Sequence, residues 1–167
     1  RGLVVVAPRP AVVRFYEAQR EVLAAKARRL EKFRAARGAS ADGKRIEVGA
    51  NVGTAEEAAS AFEHGAEGIG LFRTELMFLD REEPPTEEEQ YAILAETARL
   101  AAGRPVIVRT LDIGGDKPLA WLRLPQERNP ALGYRAIRMY AAHGELVERQ
   151  LRAILRAAAV GPMKVMF

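Results

Sequence analysis

Residues Pro105 to Lys117 read P-V-I-V-R-T-L-D-I-G-G-D-K, a short apolar run followed at once by charge and glycine. Val106 to Val108 include the β-branched residues that are typical of a buried strand. Arg109 follows directly, and Asp112 and Lys117 lie around two glycines. Because a guanidinium group can hold a carboxylate or a phosphate in two-point contact, we predict an anion-binding site at this strand end.

Strands and helices are predicted to alternate on both sides of this segment. Strands are predicted at residues 46–52, 66–72, 105–110 and 163–167. Helices are predicted from the capping boxes Thr54/Glu57 and Thr86/Glu89, and from about 134 to 159 with a break near Gly144. This order is typical of α/β folds with parallel strands. Since 46–167 supply about half of the units that a closed (β/α)8 barrel needs, either a small open sheet or the first half of a barrel is expected.

The first 45 residues have a different character. They hold 12 of the 26 Lys and Arg but only 4 of the 22 Asp and Glu, and residues 11–37 lack proline and glycine. We predict one long helix over 11–37, preceded by a strand at residues 3–6 that ends an earlier domain. The basic face indicates either a nucleic-acid surface or a solvated linker helix. We favour the linker, since few aromatic residues and no nucleic-acid motif accompany the charge.

The composition excludes several classes of protein. The sequence has no cysteine, so disulfides, cysteine zinc sites and thiol nucleophiles are excluded from it. It has no apolar run near the roughly 20 residues of a membrane span, and its first residues do not form a signal peptide. A cytoplasmic setting without membrane contact is therefore expected.

Three arginines are predicted to meet at one edge of the sheet. Arg73 follows the strand at 66–72, Arg109 ends the next one, and Arg135 follows the segment N-P-A-L-G-Y at 129–134. Functional groups of parallel α/β folds collect at the carboxyl ends of strands. Several guanidinium groups together suit a small, highly charged anion. For each arginine alone, an ion pair with Glu75 or Asp112 is an equally good explanation.

Three motifs together resemble one family: G-A-E-G-I-G-L-F-R-T-E at 65–75, V-R-T-L-D-I-G-G-D-K at 108–117 and N-P-A-L-G-Y-R-A-I-R at 129–138. They are similar to phosphoenolpyruvate-protein phosphotransferase, Enzyme I of the bacterial sugar phosphotransferase system. Pyruvate phosphate dikinase and phosphoenolpyruvate synthase share the barrel, but the I-G-G-D-K form favours Enzyme I. A multiphosphoryl transfer protein with an Enzyme I module would match this stretch equally well.

The resemblance implies a pyruvate-kinase-like (β/α)8 TIM-type barrel that binds phosphoenolpyruvate (PEP). Arg73 and Arg109 would hold PEP, with Arg135 and Lys117 as further anion contacts. The phosphoryl group would pass, with Mg2+, to a histidine on a swivelling domain and then to the carrier protein HPr in sugar uptake; the full enzyme would be a homodimer. Residues 1–10 would be the tail of that domain, 11–45 a linker helix and turn, and 46–167 the N-terminal half of the barrel.

The sequence departs from the family in what it lacks. The phosphoacceptor histidine of a T-S-H-A motif is absent, and the resemblance places the magnesium ligands and the acid cysteine on strands beyond Phe167. We therefore expect a fragment without catalytic or metal-binding residues of its own, which does not catalyse transfer alone. Two other classes remain: a basic-helix nucleic-acid binder, with steep salt dependence, and an oligomerisation module that assembles without Arg73 and Arg109 and has no affinity for PEP.

Overall fold

The computed structural model describes residues 4–114, 119, 121–122, 124–125 and 127–167, and divides the chain into the units Arg1–Ala36 and Arg37–Phe167. The helices are α1 (Pro10–Glu31), α2 (Ala55–Glu63), α3 (Glu87–Ala101) and α4 (Gly144–Ala158), and the strands are β1 (Gly49–Val52), β2 (Gly68–Arg73), β3 (Val106–Arg109) and β4 (Met163–Met166). Two short 3₁₀ helices lie at Thr74–Met77 and Ala136–Met139. In this part of the chain, no helix has the length and apolar character of a membrane span.

The first unit contains α1, which begins with Pro10 at a position where proline has no amide hydrogen bond to lose. The helix ends at Glu31, so the prediction of a helix over 11–37 was too long at its carboxyl end. No residue of α1 is buried, and without packing the last turns of a predicted helix gain little stability. Val4 to Val6 lie outside any strand, which corrects the strand predicted at 3–6; residues 1–3 are outside the described part.

The second unit is an α/β structure around a parallel sheet. The order of the strands is β1-β2-β3-β4, and every neighbouring pair is parallel. This confirms the predicted alternation, although β1 begins three residues later than expected. The helices α2, α3 and α4 pack side by side, α2 on α3 and α3 on α4. Each helix connects one strand to the next strand along the sheet, always in the same direction. Because such crossovers share one handedness, all three helices lie on the same face of the sheet.

The core lies between that face of the sheet and the helices. Val52, Phe72, Val106 and Val108 point into it, where they join side chains of the helices such as Leu94. Side chains alternate between the two faces of a strand, and the strand residues that flank these buried positions are more exposed. The face away from the helices therefore carries Arg73, Ile107, Arg109 and Lys164.

The ends of the helices agree with the predicted signals in most details. At α3, Thr86 Oγ1 accepts a hydrogen bond from Glu89 N and Glu89 Oε2 accepts one from Thr86 N, so this capping box is confirmed. At α2, Thr54 caps Glu57 N as predicted, but Glu57 Oε2 accepts from Gly53 N at 2.8 Å instead of completing a box. The helix predicted from about 134 to 159 was too long at its start, because α4 begins at Gly144 and the residues before it form only the 3₁₀ helix Ala136–Met139.

Glu89 makes the start of α3 sensitive to acid. Arg81 first, and then the Thr86 amide and hydroxyl, lower the pKa of Glu89 from 4.5 to about 2. A carboxylate whose pKa is lowered by folding stabilises the protein above its unfolded pKa, and that contribution is lost as the pH falls. We expect Glu89→Gln to be less stable than the wild type near neutral pH, with the difference shrinking from about pH 4.5 to about pH 2.

Thermal unfolding midpoints measured across this range would check the expectation. Glu82→Gln is the matched control, because Glu82 is an exposed neighbour that lies outside the capping box. A Glu89→Gln deficit that stays constant down to the lowest pH would contradict it.

Candidate anion site at the carboxyl ends of the strands

Arg73 and Arg109 stand side by side at one edge of the sheet. They are direct register partners at the carboxyl ends of β2 and β3, and Met166 of β4 is the next partner beyond Arg109. In-register residues of parallel strands present their side chains to the same face. The two guanidinium groups predicted from the sequence to meet at one strand edge therefore do so, on the face away from the helices.

Arg109 is anchored by two carboxylates. Its Nη2 lies 2.6 Å from Glu75 Oε1, and its Nη1 lies 3.2 Å from Asp112 Oδ2. The Glu75 side chain is 1% exposed and that of Arg109 is 24% exposed. Thr74 also ties the two strand ends together, because its hydroxyl donates to the Arg109 carbonyl at 2.8 Å. The ion pairs that the sequence suggested for Arg109 are therefore present, and they fix the guanidinium in one orientation.

Asp112 connects Arg109 to the third arginine. Its Oδ1 accepts a hydrogen bond from Arg135 Nε at 3.0 Å while its Oδ2 faces Arg109. Gly114 makes room for this arrangement, since a Cβ atom there would lie 3.1 Å from the Arg135 Cβ. A larger residue at position 114 would therefore require the Arg135 side chain to shift by a few tenths of an ångström. Among the described residues at this edge, the three arginines Arg73, Arg109 and Arg135 outnumber the two acidic residues, Glu75 and Asp112.

Residues 110–112, here called the strand-end segment, are held by three other elements. Thr110 N donates to Met166 O of β4 at 2.8 Å, and Leu111 N donates to Gln150 Oε1 of α4 at 2.7 Å. The Tyr140 hydroxyl donates to Thr110 Oγ1 at 2.5 Å. Burial is the main cause that raises the pKa of Tyr140, so the phenol keeps the proton that it donates.

Sequence reasoning missed Thr74, Tyr140 and Gln150. One signal for Gln150 was available. It lies on the buried stripe of α4 with Ala153, Ile154 and Ala157, at the spacing of one helix face. A glutamine inside an apolar stripe has to find a hydrogen-bond partner in the core, and here that partner is the strand-end segment.

The remaining predicted residues differ in their surroundings. The Arg73 side chain is exposed and, in the part of the chain that the structure covers, has no ion pair. Lys117 lies outside the described residues. In the described part of the chain, no three His, Cys, Asp or Glu side chains are grouped so that they could hold a metal ion. The site thus combines one exposed guanidinium, one anchored guanidinium and a third held through Asp112, an arrangement suited to a small anion with more than one charged group.

The fold and the strand-end site define the class of protein. The family model described as PEP-utilising enzyme, PEP-binding domain matches residues 27–167, which is most of the chain. The chain therefore belongs to the PEP-binding domain family of PEP-utilising enzymes.

Similar proteins narrow the class further. The chain is 47% identical over 165 residues to multiphosphoryl transfer protein 2 of Escherichia coli (strain K12), covering 99% of this chain and 20% of the relative. It is 45% identical over 166 residues to the phosphoenolpyruvate-protein phosphotransferases of Staphylococcus carnosus (strain TM300) and Staphylococcus aureus, covering 99% of this chain and 29% of each relative. The chain thus spans between a fifth and three tenths of the length of these relatives.

Proposed function

We propose that this chain is the PEP-binding part of a PEP-dependent protein phosphotransferase, and that Arg73 and Arg109 hold the PEP anion. The observation that carries the proposal is the register pair of Arg73 and Arg109 at the carboxyl ends of β2 and β3. PEP has a carboxylate and a phosphate on a three-carbon unit, so two adjacent guanidinium forks match its two anionic groups. Arg135 and Lys117 are proposed as further anion contacts.

The two arginines would contribute in different ways. Arg109 is held by Glu75 and Asp112, so its remaining donor capacity has a fixed direction before the ligand arrives. Arg73 is exposed and can close on the ligand from the neighbouring strand. Fixed positive charge near a phosphoryl group stabilises the charge that spreads over its oxygens during transfer, at no reorganisation cost.

We further propose that the sheet is the first half of a (β/α)8 barrel. The consecutive strand order and the single helical layer support this, because doubly wound sheets reverse their order and carry helices on both faces. Within the described residues, β1 and β4 each have one strand neighbour. In a barrel, both edges would be paired with further strands.

The whole phosphotransferase would need groups that the described residues do not supply. Glu75 and Asp112 are engaged by guanidinium groups, and no acidic cluster that fits Mg2+ occurs in the described part of the chain. We propose, as the family resemblance implies, that Mg2+ ligands and a phosphoacceptor histidine belong to other parts of a longer homodimeric protein. HPr is proposed as the protein that then receives the phosphoryl group.

A titration of the 15N-labelled chain with PEP tests the proposal. We expect millimolar PEP to shift the amide signals of Arg73 and Arg109, with much smaller shifts from pyruvate plus inorganic phosphate as the control. We also expect no Mg2+-dependent exchange of label between PEP and pyruvate by the chain alone. An unchanged spectrum would refute PEP binding, and clear exchange would refute the proposed need for other parts of the protein.

A further inference from the structure

Gln150 is a buried polar side chain that reaches the anion site from the far side of the core. Its side chain lies in the middle of α4 and is 2% exposed. The side-chain oxygen accepts a hydrogen bond from Leu111 N at 2.7 Å. Its amide nitrogen has no partner among the residues that the structure describes. Within the described core, the hydrogen bond from Leu111 N is therefore the one polar contact of the Gln150 side chain.

Leu111 occupies the centre of the strand-end segment. Arg109 precedes the segment, and Asp112, its last residue, contacts both Arg109 and Arg135 at 3.2 and 3.0 Å. A displacement of Leu111 would move the adjacent Asp112, and with it the separation of two guanidinium groups. Misplacement of binding groups by about 1 Å is enough to cost up to about 100-fold in function.

We infer that Gln150 is a positioning residue for the proposed PEP site, acting through Leu111 and Asp112 on Arg109 and Arg135. The inference rests on the proposed function, since it assigns Gln150 a part in holding that same site. Tyr140 supports the same segment independently, because its hydroxyl donates to Thr110 Oγ1. Gln150 itself touches neither the ligand nor the arginines.

Gln150→Met is the main test, because methionine has a similar length but its sulfur is only a weak acceptor for the bond from Leu111 N. We expect about tenfold weaker PEP affinity and faster hydrogen exchange at the Leu111 amide, both measured by NMR on the 15N-labelled chain. Gln150→Glu keeps an acceptor oxygen and is expected to bind PEP nearly as well as the wild type. Tyr140→Phe removes the hydroxyl that donates to Thr110 in the strand-end segment, and it is expected to weaken PEP binding as well.

Gln90→Met is the matched control for a merely structural effect. Gln90 is 0% exposed on α3 and, like Gln150, uses one hydrogen bond to the backbone, from Nε2 to Pro85 O at 3.2 Å. This bond lies at the start of α3 rather than in the strand-end segment. We expect Gln90→Met to lose stability without a change in PEP affinity or in Leu111 exchange.

The outcomes separate the two proposals. If the wild-type chain does not bind PEP, the proposed function fails and the assignment of Gln150 fails with it. If the wild type binds PEP and folded Gln150→Met binds it equally well, only the assignment is overturned. Equal losses of affinity in Gln150→Met and Gln90→Met would also overturn it. Should Gln150→Met not fold, a Leu111 amide that exchanges without protection in the wild-type chain would overturn the assignment, because the bond to Gln150 would then be absent.

Discussion

Arg109→Ala is expected to reduce the free energy of unfolding by about 3 kcal/mol and to remove measurable PEP binding. The stability loss follows because Glu75, at 1% exposure, would lose the guanidinium that lies 2.6 Å away. Breaking a buried ion pair by removing one partner costs about 3–5 kcal/mol. We expect the lower end, because the Arg109 side chain is 24% exposed and water already screens part of the pair.

Urea unfolding and a PEP titration of the same variant would measure the two effects. Arg109→Lys is the matched control, since it keeps a positive charge near Glu75 but lacks the planar fork. Most of the stability should return in this variant while PEP binding stays weak. If Arg109→Ala unfolds at the wild-type urea concentration, the ion pair with Glu75 does not hold the site together.

Arg73→Ala is expected to weaken PEP binding about 100-fold, which corresponds to about 2.7 kcal/mol. Loss of charge-assisted hydrogen bonds worth about 1.5–3 kcal/mol each accounts for this size. The free energy of unfolding should change by less than about 0.5 kcal/mol, as is usual for exposed positions. Arg73 is exposed, and no ion pair to it is found in the described part of the chain.

The measurement again combines a PEP titration with urea unfolding. Arg99→Ala is the matched control, because Arg99 is an exposed arginine of α3 that pairs with Glu96 at 2.9 Å, three residues away on the same helix. It should bind PEP like the wild type. PEP affinity that is equal in Arg73→Ala and Arg99→Ala would exclude Arg73 from the site.

Together the two arginine variants distinguish a ligand contact from a structural one at neighbouring positions. Arg73 and Arg109 are register partners, yet among the described residues Arg109 pairs with the buried Glu75 and the partly buried Asp112, whereas no ion pair to Arg73 is found. A protein that assembles through its sheet edges without binding PEP would still lose stability in Arg109→Ala. It would show no PEP affinity in the wild type, so Arg73→Ala could not reduce it.

Local patterns were sufficient for the order of helices and strands. The capping box at Thr86 and the glycines after α2 and α3 act within a few residues, so their effect can be read along the chain. The end of α1 could not be read in this way. No proline or glycine between residues 11 and 37 marks an earlier end, but the helix ends at Glu31.

The sequence already placed Arg73, Arg109 and Arg135 after strands, since parallel pairing brings the carboxyl ends of successive strands to one edge. Contacts between residues far apart in the chain determine which of these arginines is anchored by a carboxylate and which is exposed. Glu75 meets Arg109 across two strands, and Gln150 reaches Leu111 from a helix that packs behind the sheet. Such contacts exist only once the core has formed, because burial brings these polar groups together and removes the water that would otherwise satisfy them.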